Sequence, residues 1–169
     1  MFRRILVPLD GSELAERALP YAQGLARELN SELVLLRVVN CVDLASSQAF
    51  AGFLPAEVFD AAIEDERQTA AEYLARLAEQ LQADGLATQW VVRSGDPAGE
   101  IVEYGKMAQI DLVVMSTHGR SGLSRWVYGS VADRVLRGGT LPVLLIRAMN
   151  SEAHAAQLAA VRQSAPARR

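Results

Sequence analysis

The chain has 169 residues, half of them hydrophobic and 22% charged, with a formal net charge of -3. That balance fits one soluble domain with its own core; no segment reaches the ~20 apolar residues of a membrane span, and the acidic sum argues against a nucleic-acid binder. The start, MFRRILVPLDG, lacks the apolar run of a signal peptide, so the expected location is the cytoplasm, and the single cysteine, Cys41, excludes an intramolecular disulfide and a cysteine-cluster metal site.

RRILVPL (3–9) is a short, branched, mostly apolar run, the pattern of a strand buried on both faces. DGSE turns the chain, with Ser12 as N-cap and Glu13 in the first helical turn. Leu14, Ala18, Tyr21, Ala22 and Leu25 then mark one face of a helix ending near Asn30, and ELVLLRVV (32–39) predicts a second strand. Residues 40–55 show no sustained period and read as a loop. A long helix is predicted from Ala56 to about Asp84, with Val58, Ala62, Ile63, Ala70, Tyr73, Leu74, Leu77 and Leu81 on one side. LATQWVVRSG (86–95) predicts the third strand. Asp96 caps the next helix, with Pro97 at its first position, where a missing N–H costs nothing. DLVVMS (111–116) is the fourth strand, SVADRVLRGG (130–139) a helix and LPVLLIR (141–147) the fifth strand. The tail, 149–169, has little to bury and reads as disorder or a short helix.

This alternation predicts one α/β domain over residues 1–148: a single doubly wound, five-stranded parallel sheet with helices on both faces. Ligands in such sheets bind beyond the carboxyl ends of the strands, where the strand order reverses. The loops after strands one and four, carrying PLDGS and STHGRSGLSRWVYGS, are therefore the places to look.

Known phosphate motifs can be tested against these loops. The only Gly-Lys pair, Gly105-Lys106, is followed by Met107 inside a helical pattern, which excludes a Walker-type loop. The dinucleotide fingerprint is absent, since only Gly11 follows the first strand. A receiver domain would need clustered acidic residues, and Asp10 stands alone. Between Ser116 and Ser130, however, Gly119 and Gly122 let backbone N–H groups approach an anion, and Gly129-Ser130 lies at a helix N-terminus, which favours negative charge. Thr117, Arg120, Ser121 and Ser124 add donors. Two readings stay open: a phosphate cradle, or a long turn in which Ser130 caps the helix and Asp133 completes a capping-box pattern. His118 has no partner base or nucleophile, so no catalytic constellation is visible; only Asp10, Asp133 or His118 could position water for slow hydrolysis of a bound phosphate.

The run DLVVMSTHGRSGLSRWVYGSVADRVLRGGTLPVLLIR resembles the C-terminal half of the universal stress protein family. ATP-binding members carry Gly, two residues, Gly, nine residues, then Gly-Ser/Thr. Here that pattern falls on Ser116, Gly119 and Gly129-Ser130, with serine replacing the first glycine. ILVPLDGSELAERAL and GDPAGEIVEYGKMAQIDLVVMSTHG extend the resemblance over most of the chain. It implies a Rossmann-like fold of the adenine-nucleotide alpha hydrolase type and an ATP site, with magnesium or manganese. Pro8 and Asp10 would flank the nucleotide, Asp10 as the ribose or metal contact, and Val38 would contact adenine. Met115 and Ser116 would line the base and ribose side, with Gly119, Gly129, Ser130 and Val131 around the phosphates. The resemblance also implies a homodimer through the last strand, Pro142 to Arg147. The function expected is a nucleotide-dependent regulatory module of the stress response; a nucleotide-free dimeric interaction protein and a slow ATP hydrolase are the alternatives.

Overall fold

In a computed structural model that describes residues 2–40, 56–117 and 129–147, five strands form one parallel sheet. These are β1 (Arg4–Pro8), β2 (Glu32–Val39), β3 (Thr88–Ser94), β4 (Leu112–Ser116) and β5 (Val143–Ile146), in the order β3-β2-β1-β4-β5. The chain builds outward from β1 in one direction, then returns to β1's other side with β4. Beside β1, at its carboxyl end, the crossovers diverge and leave a crevice. Asp111 ties the opposite ends of β1 and β4 together: its Oδ2 accepts from the N–H groups of Arg3 (2.7 Å) and Arg4 (3.0 Å).

The central strands are apolar on both faces because both faces are covered. Ile5, Leu33, Leu35 and Val114 project to one side, against α2 (Leu19–Leu29) and α3 (Ala56–Ala83). Leu6, Val34, Leu36 and Val113 project to the other, against α4 (Pro97–Met107) and α5 (Ser130–Gly138). The expected parallel, doubly wound sheet with helices on both faces is therefore present. No helix among the described residues is long and apolar enough to cross a membrane.

The helix expected from residue 14 to Asn30 is divided. A single turn, α1 (Glu13–Glu16), is capped by Ser12, whose Oγ accepts from Ala15 N at 3.1 Å, and α2 follows. The cause is Pro20, which has no N–H to give the Glu16 carbonyl and whose ring crowds it. Ala18 N bonds Ala15 O instead, at 3.1 Å. In α3 the buried stripe begins at Ala70 and continues through Leu74, Ala78 and Leu81, whereas Val58 is exposed. Residues 41–55, 118–128 and 148–169 lie outside the described residues, and with them the expected loop, His118, Gly119, Gly122 and the tail.

Candidate functional site

Three strand ends and two helix N-termini converge on the crevice. At the end of β1, Leu9 N donates to Leu36 O (2.8 Å) and the chain then turns at Asp10. Asp10 Oδ1 accepts from both Ser12 N (3.0 Å) and Ser12 Oγ (2.6 Å). Gly11 takes φ +80°, a conformation that side chains disfavour, and so lets the chain reverse from strand to helix while the carboxylate stays at the crevice. At the end of β4, Thr117 N donates to Ile146 O (2.9 Å) and Thr117 O accepts from Gly129 N (2.5 Å). α5 thus starts beside the end of β4.

Ser130 is expected as the cap of that helix, and here the structure differs. Gly129, extended at φ -49° and ψ 145°, occupies the cap position, and Ser130 is the first helical residue. Its hydroxyl is one position too late to satisfy the first-turn N–H groups, and Gly129 brings no side chain to cap them. Asp133 closes no capping box; its carboxylate accepts from Arg137 Nε at 2.9 and 3.0 Å. The positive end of the α5 dipole therefore faces the crevice with a glycine at its cap position. Asp96 does act as the expected cap of α4, accepting from Gly99 N at 2.8 Å. It also receives a fork from Arg134 of α5, Nη1 to Oδ1 at 2.6 Å and Nη2 to Oδ2 at 2.7 Å. The guanidinium first, and the Gly99 N–H second, hold its carboxyl below the usual aspartate range.

The crevice encloses a cavity of about 470 Å³. Pro8, Asp10, Val38, Met115, Ser116, Gly129, Ser130 and Val131 all line it; Gly119 lies outside the described residues. Ser116 and Thr117 are buried there. Pro97 and Ile101 of α4 form a further wall. The sequence reading missed one part of the lining, the pair Arg37 and Glu66. Arg37 is only 7% exposed, and its Nη2 donates to Glu66 Oε1 at 2.7 Å. Its guanidinium lies 5.5 Å from the centroid of the Tyr73 ring, and the Tyr73 hydroxyl donates to Glu16 Oε1 at 2.8 Å. Burial first, and the Glu16 carboxylate second, push the Tyr73 phenol well above its usual value, so it remains a donor. An arginine within the otherwise apolar LVLLRVV was the one visible sign of this cluster.

A ligand-sized cavity at the switch point of a parallel sheet, with the N-terminus of α5 in its wall, lies where α/β domains of this class take their ligands. The chain belongs to the universal stress protein family: the sequence model of that family, "Universal stress protein family", matches residues 1–147. A universal stress protein of Methanocaldococcus jannaschii is 32% identical over 152 residues, 90% of this chain and 86% of its own. The structure of universal stress protein UspA from Lactobacillus plantarum superposes with a TM-score of 0.73 at 25% identity, covering 86% of this chain and 98% of that one. More distant members share the fold. One is a universal stress protein solved in complex with cAMP (TM-score 0.56, 20% identity, 88% of this chain and 98% of that one). Another, from Arabidopsis thaliana, was solved with AMP bound (TM-score 0.58, 16% identity, 89% and 94%).

Proposed function

We propose that this chain binds ATP in the cavity beside β1 and acts in the cytoplasm as a nucleotide-dependent regulatory module of the stress response. One observation carries the reading: the described residues that resemble the family's ATP site, taken from four separate stretches of sequence, line a single cavity against the N-terminus of α5. The first-turn N–H groups of α5 would hold phosphate oxygens, with Gly129 offering no side chain to obstruct them. Val38 and Met115 supply apolar surface for the base, and Asp10 supplies an acceptor for the ribose hydroxyls. Two distant relatives accommodate adenine nucleotides in the same fold.

The residues present also suit a divalent cation that arrives with the nucleotide. Among the described residues no three histidine, cysteine, aspartate or glutamate side chains are grouped for a metal. Magnesium or manganese shared with phosphates needs only one or two carboxylates, and Asp10 lines the cavity. The competing reading, a nucleotide-free dimer, is favoured by Ser116, whose buried side chain stands where the motif has glycine.

The test is nucleotide content, followed by calorimetric titration of the stripped protein with ATP and magnesium or manganese. ATP binding should fall at least about tenfold in Gly129→Ala/Ser130→Ala, whose added methyl narrows the approach to the helix N-terminus. The backbone at Gly129 has φ negative, a conformation open to alanine, and circular dichroism verifies that the variant keeps its fold. Folded, stripped protein that ignores millimolar ATP overturns the proposal.

A further inference from the structure

We propose that Arg37 and Glu66 read the base of the bound nucleotide and select an amino-purine over an oxo-purine; the inference rests on the adenine-nucleotide reading above. The cavity has two chemically different ends. The α5 N-terminus sits at the end of β4, whereas Arg37, Val38 and Glu66 line the cavity at the β2 side. In the order β2-β1-β4 these ends lie two strand spacings apart, about 10 Å. Phosphates held at α5 leave the base at β2.

The pair found there is an expensive one to build. Arg37 gives up its hydration and Glu66, its side chain 33% exposed, gives up part of its own, and well-packed apolar residues of similar size join a helix to a sheet at least as stably. Holding α3 on β2 is therefore a weak explanation for an arginine at 7% exposure. The guanidinium is fixed from one side by Glu66 and from another by the Tyr73 ring, which Glu16 anchors in turn. It offers donors only, and the carboxylate beside it acceptors only. Side by side they complement an edge that carries an acceptor next to a donor. Adenine has that edge, N7 beside the 6-amino group; a 6-oxo purine turns two acceptors to the same place. A carbonyl facing Glu66 leaves both groups desolvated without a hydrogen bond.

The experiment compares ATP and ITP, each with magnesium, by titration calorimetry on the stripped full-length chain and its Glu66→Gln variant. Wild type should prefer ATP by about tenfold or more, the range expected when a buried acceptor loses its donor. In Glu66→Gln the amide can donate as well as accept, and the two affinities should approach within about threefold, mainly through a gain for ITP. The variant keeps the side chain's shape and an acceptor for Arg37, and its melting temperature verifies that it folds. A wild-type ratio near one overturns the inference, as does a variant that weakens both nucleotides equally, the result expected if the pair only holds α3. In either case the ATP reading survives. Absence of binding to both nucleotides removes the ATP reading and this inference together.

Discussion

A methyl group added at Gly105 would stand 2.4 Å from Leu141 Cδ1, closer than carbon atoms approach. Gly105 is buried in α4 at the point where the chain enters β5. Two effects of similar size oppose each other in Gly105→Ala. Alanine favours the helix by about 1 kcal/mol over glycine, whereas an extra carbon in a packed contact costs about 1–3 kcal/mol. The clash is with the far end of a side chain, so Leu141 can rotate rather than displace the helix. Net destabilisation of about 1 kcal/mol is expected, measured as a lower urea midpoint at unchanged slope, with Gly105→Val distinctly worse. Nothing in the sequence distinguishes this glycine from a neutral helix position, because its partner lies on another element. Gly11 was more legible: a glycine between a strand and a capping serine marks a turn, and φ +80° is what that turn uses.

Between elements, the fork from Arg134 to Asp96 links the cap of α4 to the helix whose N-terminus faces the cavity. Both side chains are about half exposed, so solvent screens the pair and it adds little to stability. Its value lies in position. Arg134→Ala should weaken ATP binding several-fold while leaving adenosine unaffected, since only phosphates depend on where α5 begins. The pH dependence has a definite sign. Asp96 is held below its ordinary value, so the folded state binds fewer protons than the unfolded. The stabilisation is complete above the ordinary aspartate value of about 3.9 and is lost as pH falls through the lower folded value. The difference in melting temperature between wild type and Arg134→Ala should therefore be constant from pH 7 to 5 and shrink as pH falls below the ordinary aspartate value; a difference that stays constant on acidification would assign it to something other than this carboxylate. The capping role of Asp96 was legible because a cap and its helix are contiguous. The fork was not, since it joins residues 38 positions apart. Pro20 carried a legible signal that the apolar spacing around it outweighed, and the break in the first helix follows from it.

For the whole molecule, alternating strand and helix patterns were enough to reach the parallel sheet, because parallel strands require crossovers and these fill the intervening stretches. They also pointed to the loops after β1 and β4, and the cavity lies there. The cluster of Arg37, Glu66, Tyr73 and Glu16 could not be read in that way, since its three elements meet only when folded. The order β3-β2-β1-β4-β5 leaves β5 at an edge, with Leu144 36% exposed. An apolar edge strand of this kind invites pairing with a second copy, so a homodimer through β5 is the proposed assembly. Leu144→Lys puts a charge at the joint and should turn a dimer into a monomer at micromolar concentration, read by sedimentation, with the circular dichroism unchanged. A wild type that sediments as a monomer at that concentration would exclude the edge pairing. Among the described residues none of β5 lines the cavity. The monomeric variant should therefore bind ATP as wild type does. Loss of ATP binding on dissociation would instead mean that the second copy completes the nucleotide site.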